Sequence, residues 1–122
     1  MTSPVLRKLQ RLLPPRELSL EPAVLAENAG DKWLASHKPE AVALPRSTAS
    51  ISALLRFANR NQIPVTPRGA GHGYVGGCVP VRGGIVLSLA RMNRIKEISR
   101  TDFVAVVEPG VNTERLQNEV ER

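Results

Sequence analysis

Seven of the nine glycines in this 122-residue chain fall in one stretch, PRGAGHGYVGGCVPVRGG, from Pro67 to Gly84. No other feature restricts the fold as much. A helix does not tolerate such a run, because each glycine costs conformational entropy and leaves nothing to pack. The stretch must be a loop whose backbone takes left-handed angles or lets another group come close. Gly69, Gly71, Gly73, Gly76 and Gly77 can turn several N–H groups toward one point, and such a nest binds phosphate oxygens. Arg68 is read as a positive charge at the entrance of the loop. The segment is therefore suited to a pyrophosphate.

The flanks say what the loop is attached to. Ala41 to Leu44 is a short apolar run closed by Pro45, the mark of a buried strand. STASISALLRFANRN follows: Ser47 or Thr48 caps a helix, Ile51, Leu54, Leu55 and Ala58 fall on one face, and Asn61 can end it. Ile63 to Thr66 is a second strand, and the glycine segment leaves its end. Gly84 to Ala90 is a third strand. RIKEIS and FVAVVEPGV pair around a turn at RTD. NTERLQNEVER begins a last helix, capped by Asn112 or Thr113, with Leu116 and Val120 on one face. Upstream, Ser3-Pro4 starts a short amphipathic helix that Pro14-Pro15 stops, and a second helix is expected from near Leu20 to Gly30. DKWLASHKPE reads as a connecting loop in which Trp33 is a packing anchor. The last helical pattern is still running at Arg122, so the chain is expected to be the N-terminal part of a longer protein.

Charge narrows the function classes. The net charge is +6, and from Ala41 to Lys96 there are eight Arg or Lys and no carboxylate. A carboxylate-free middle is a seat for an anion, and it leaves the loop without a sequence-local acid or base. Nucleic acid is a poor partner, because the basic residues are dispersed and aromatics make up only 3%. No apolar run approaches the roughly 20 residues of a membrane span. The basic N-terminus lacks an apolar core and a cleavage site, so no secretory signal is expected. One cysteine, Cys78, excludes an internal disulfide and a cysteine cluster, and with only His37 and His72 besides it no metal site is expected. A cytoplasmic location is the default expectation, with peripheral membrane association left open.

Three readings of the loop compete. Gly71 to Gly76 matches G-x-G-x-x-G, and Glu97 lies about 20 residues on, as the nicotinamide-dinucleotide fingerprint asks. That fingerprint must open a helix, whereas GCVPVRGG follows here and the helix precedes the strand. A ligand-free turn between strands rarely needs so many glycines. A flavin pyrophosphate loop fits both the glycines and their context.

The third reading also carries a resemblance. AVALPRSTASISALLRFANRNQIPVTPRGAGHGYVGGCVPVRGGIVLSLARMNRIKEI resembles the FAD-binding domain of the p-cresol methylhydroxylase / vanillyl-alcohol oxidase superfamily. Within it, the segment is most similar to the glycolate oxidase and D-lactate dehydrogenase flavoprotein branch. The likeness runs from Pro39 to about Gly110 and includes Pro45, P-R-G-A-G-x-G-x-x-G-G, GGIVLSLARMNRI and VEPGV. It implies an α+β fold, the first subdomain of a PCMH-type FAD-binding domain over residues 39–122. An N-terminal helical segment of two helices, residues 1–38, precedes it. Pro67, Arg68, Gly69, Ala70, Gly71, His72, Gly73, Tyr74, Gly76 and Gly77 would then hold FAD, with backbone N–H groups on the pyrophosphate. The implied reaction is oxidation of a 2-hydroxy acid, of glycolate or D-lactate type, to the 2-oxo acid by hydride transfer to flavin. Electrons would pass to an acceptor protein or an iron–sulfur subunit.

His72 departs from that branch, where a small hydroxyl residue is usual. R-G-A-G-H has the spacing of the R-x-G-G-H histidine that berberine-bridge-like oxidases attach covalently to flavin. A covalent link through His72 thus stands beside the reading in which it bonds a phosphate or packs by the cofactor. Cys78 is read as a buried, inert thiol, and Arg91 and Arg94 as facing solvent or capping a strand end. The catalytic residues are not visible, and the chain alone is not expected to turn over substrate. Two alternatives remain: a stand-alone nucleotide- or anion-binding module without catalysis, and a related flavoenzyme acting on a sugar lactone or an alkyl-ether lipid.

Overall fold

An apolar triplet followed by a capped amphipathic helix, Ala41 to Arg60, sets the frame on which the rest packs. The computed structural model describes Met1 to Arg122. Its elements are α1 (Ser3–Leu12), β1 (Leu18–Ser19), α2 (Pro22–Glu27), β2 (Ala41–Ala43), α3 (Thr48–Arg60), β3 (Val65–Arg68), β4 (Ile85–Ser88), β5 (Ile95–Ser99), β6 (Val104–Val107) and α4 (Thr113–Val120), with a 3-10 turn at Pro15–Glu17. The fold is α+β.

Four strands form one sheet in the order β1-β2-β4-β3. β2 and β3 both run parallel to β4, and β1 pairs antiparallel with β2 at the edge. Every residue of β2 and β4 is buried, as expected of parallel strands covered on both faces. Side chains alternate across the sheet. Ala41, Ala43, Ile85 and Leu87 meet Leu9 and Leu13 near the end of α1 and Leu54 of α3. Val42 and Val86 meet Leu25 of α2 on the other face.

α3 is held at both ends by its own sequence. The Ser47 hydroxyl accepts the Ser50 N–H at 3.1 Å, and Asn61 closes the C-terminus. Leu54 and Ala58 are buried, but Leu55 is exposed, because it lies about 100° round the helix from Leu54. α2 is shorter than its pattern suggests. It starts at Pro22, after Leu18 and Ser19 pair with Ala43 and Val42, and ends at Glu27, short of Gly30, which bridges to Ser36 instead. β3 begins two residues later than the apolar run, since the Pro64 carbonyl accepts the Ile85 N–H at 2.9 Å and starts the β3–β4 register there.

A parallel return needs about a dozen or more residues and is usually made by a helix. Between β3 and β4 that return is the glycine segment, Gly69 to Gly84, with no helix in it. Gly84 ends it at φ +71°, pressed so closely on the Pro64 carbonyl that a Cβ has no room.

β5 and β6 form a separate antiparallel hairpin with a bulge between Ile95 and Glu97. Its turn falls at Arg100–Asp102 as expected, followed by Phe103 at φ +54°. Arg94 and Glu108 close its open end: the carboxylate accepts from the Arg94 backbone N–H at 2.9 Å and from Nε and Nη2 at 3.0 and 2.7 Å. The Asn112 side chain caps α4 by accepting from Glu114 N–H at 2.9 Å, and no residue of α4 is buried. No helix is long and apolar enough to cross a membrane.

Candidate functional site

The glycine loop leaves the C-terminal end of β3, a strand parallel to its neighbour, and ligands of parallel sheets gather at such ends. Pro67 and Arg68 are the last two residues of β3. Gly69, Ala70, His72, Gly73, Tyr74 and Gly77 are exposed, while Gly71 and Gly76 are half-buried. The loop residues singled out in the sequence thus lie on one continuous piece of backbone. The N–H groups from Gly69 to Val75, and those of Gly77 and Cys78, donate to no acceptor in the chain. A run of unspent donors beside a cationic segment is what an anion-binding backbone offers.

The glycines have separable reasons. Gly76 sits at φ +73°, where other residues are strained. Gly69, Gly73 and Gly77 have no left-handed angle, and a Cβ built on any of them meets no heavy atom within 4 Å. Nothing in the chain's own packing demands glycine at these three positions. A group lying against the backbone would demand it.

Arg68 is turned differently from the sequence expectation. Instead of standing at the loop entrance, its guanidinium folds back under the loop. It donates to the carbonyls of Glu27, at 3.3 Å, and Gly30, and lies 3.4 Å from the Cys78 sulfur. Glu27 ends α2, so the arginine caps the negative end of that helix. Cys78 is half-buried beside this cation rather than sealed in the core.

The segment after α2 also comes to the loop, which the sequence did not reveal. Asp31 Oδ2 accepts the Gly76 N–H at 2.8 Å, and its Oδ1 accepts the Trp33 N–H at 2.8 Å. The Lys32 N–H donates to the Gly73 carbonyl at 3.1 Å. Trp33 is not a buried packing anchor: it is 66% exposed and meets the Tyr74 ring edge-on, with centroids 6.4 Å apart. The carboxylate-free stretch therefore has a carboxylate in space, brought from 45 residues upstream of Gly76. The one signal available was the Gly30-Asp31 pair ending the second helix, which marks a turn but not its destination.

Four other charged groups, Arg94, Glu108, Glu40 and Arg91, are committed elsewhere. Arg94 holds the Glu108 carboxyl below the ordinary carboxylate range, chiefly by its side-chain hydrogen bonds. The chain's amino group does the same for Glu40, whose other oxygen accepts the Gly84 N–H. Arg91 donates to the Arg16 carbonyl. The His72 ring makes no hydrogen bond within the chain. Two clefts lie away from the loop, one lined by Gln10, Leu18, Leu20 and Glu21 and another by Ile98, Phe103, Val104 and Val120. The loop itself is an open shelf rather than an enclosed pocket.

Comparison with known proteins bears on the family and the fold. A family model described as FAD binding domain matches residues 39–122. A D-2-hydroxyglutarate dehydrogenase of Xanthomonas citri pv. viticola is 36% identical over 120 residues, covering 97% of this chain and 25% of that protein. A glycolate oxidase subunit of Bacillus subtilis is 43% identical over 75 residues, 62% of this chain and 16% of its own. The chain thus spans a quarter or less of the length of these relatives. The crystal structure of p-cresol methylhydroxylase with substrate bound superposes on 99% of this chain and 25% of its own, with a TM-score of 0.84 at 24% identity, which speaks for the fold.

Proposed function

The chain belongs to the FAD binding domain family, and we propose that its glycine loop, Pro67 to Gly77, seats the FAD pyrophosphate in an oxidoreductase acting on a 2-hydroxy acid. One observation carries the reading: unspent N–H groups from Gly69 to Val75 share a shelf with Gly69, Gly73 and Gly77, whose missing side chains the protein itself does not require. The residues present fit a pyrophosphate, since the N–H groups supply donors and the glycines allow contact at backbone distance.

Bound FAD would supply the redox chemistry, accepting a hydride from the carbon that bears the hydroxyl and leaving a 2-oxo acid. The chain's part is to bind and orient. The loop N–H groups would hold the diphosphate without a formal charge, and the aromatic pair Trp33 and Tyr74 stands at the loop's rim. The 2-hydroxy acid as substrate class is supported by the names of the relatives, D-2-hydroxyglutarate dehydrogenase and glycolate oxidase subunit. An electron-acceptor protein or iron–sulfur subunit is part of the same proposal. So is a boundary in sequence at residue 38, between an N-terminal helical segment, residues 1–38, and the FAD-binding domain, residues 39–122, the two packing on one sheet.

Trp33 is the only tryptophan, and it borders the loop through Tyr74. Titration of FAD into the full chain should quench its emission saturably, and inorganic pyrophosphate should compete. NAD should do neither. Quenching by any nucleotide alike would favour a general anion-binding module. No response to FAD would refute the reading. Incubated with FAD, a D-2-hydroxy acid and an artificial acceptor, this chain should leave the acceptor oxidised.

A further inference from the structure

Among the loop amides from Gly69 to Cys78, one is spent, and it is spent on a side chain. We propose that Asp31 is a positioning residue for the cofactor loop: its carboxylate pins Gly76 in the left-handed conformation and so holds the neighbouring N–H groups in place before FAD arrives. The inference rests on the FAD reading of the loop.

Both carboxylate oxygens are engaged, Oδ1 by Trp33 N–H and Oδ2 by Gly76 N–H, so the side chain is fixed rather than trailing in solvent. The bond to Gly76 is charge-assisted, the stronger class of hydrogen bond. It does not act alone. The Lys32 N–H holds the Gly73 carbonyl, the Trp33 ring abuts Tyr74, and Arg68 ties the root of the loop to the Glu27 and Gly30 carbonyls. The segment from Glu27 to Trp33 therefore grips the loop at Arg68, Gly73, Tyr74 and Gly76, and it lies wholly outside the matched residues 39–122.

The energetic case is one of preorganisation. A loop this rich in glycine has much backbone freedom to lose on binding, and an external brace removes part of that cost in advance. A carboxylate near a bound diphosphate also repels it. The two effects predict opposite outcomes. If Asp31 positions the loop, its removal weakens FAD binding. If it merely competes for the Gly76 N–H, its removal strengthens it.

The test compares the full chain with Asp31→Ala and Asp31→Asn in two measurements. In FAD titrations, Asp31→Ala should weaken binding about tenfold, the worth of one charge-assisted hydrogen bond. Asp31→Asn, which keeps one acceptor for Gly76, should lie between it and the parent. Without FAD, hydrogen exchange at Lys32 N–H should quicken in Asp31→Ala, although that amide bonds the Gly73 carbonyl and not Asp31. Amides of α3 and β4 should be unchanged, which separates loop loosening from global unfolding. Unchanged or tighter FAD binding by Asp31→Ala would overturn the proposal. Were the parent chain to bind no FAD, the functional reading would fall, and unchanged exchange at Lys32 would overturn the positioning role by itself. Should Asp31→Ala not fold, Asp31→Asn decides on the same criteria.

Discussion

At the scale of single residues, the glycines of one loop separate into those the fold needs and those it does not. Gly84 and Gly76 are fixed by backbone conformation, and substitution there strains the chain itself. Gly73 has ordinary angles and open space in front of it. Gly73→Val should therefore leave the melting temperature close to that of the parent while abolishing the FAD-dependent quenching of Trp33. Loss of both together would show that the glycine serves folding. His72 is exposed in the same loop. After acid precipitation of the FAD-loaded chain, the flavin colour should stay in the supernatant, and His72→Ala should still bind FAD. Colour retained in the pellet, and lost with His72→Ala, would establish the covalent link instead. The glycine loop was legible in the sequence because its composition is extreme. The direction of Arg68 and the approach of Asp31 were not, because both depend on contacts made some 40 residues away along the chain. Charge counting placed no acid near the loop, and tertiary structure put one there.

At the scale of elements, local rules were reliable where the helix or strand makes its own case. β2 and α3 read cleanly, from an apolar triplet and from a capped 3.6-residue period. Ser47→Ala should cost about 1 kcal/mol, the usual worth of an N-cap, measured by denaturant unfolding. α2 and β3 were read with shifted ends, because strand pairing with β2 and β4 decides where they begin. The β5–β6 hairpin carries a pH dependence of definite sign. Glu108 has a depressed pKa in the folded chain through its bonds to Arg94. Its stabilising contribution is therefore complete above about pH 4.3, the value expected in the unfolded chain, and drains away as the pH falls through the lower folded value. Glu108→Gln should lower the melting temperature at neutral pH. The gap between the two proteins should shrink in acid below about pH 4.3, and a constant gap would dissociate Glu108 from the acid response.

At the scale of the whole molecule, one sheet is clasped by α1 and α3 on one face and α2 on the other, so residues before Pro39 share a core with residues after it. Leu54 is fully buried at the centre of the larger cluster. Leu54→Ala should cost about 2–5 kcal/mol, enough to threaten a domain of ordinary stability. Binding of FAD should raise the stability of the parent by about 2.7 kcal/mol at a hundredfold excess over Kd. This gives a thermal readout that does not rely on Trp33.

The return from β3 to β4 is made by the glycine segment and by no helix. Most binding loops are appendages, free to be trimmed or exchanged while the scaffold survives. This one is the scaffold's own hinge pin. It is only a few residues longer than the roughly dozen a parallel return requires, so a deletion that removes the ligand shelf also unhitches β3 from the sheet. Such a chain has little room to abandon its ligand by erosion of the loop, residue by residue. The length of the loop is guarded by topology even where its chemistry is not.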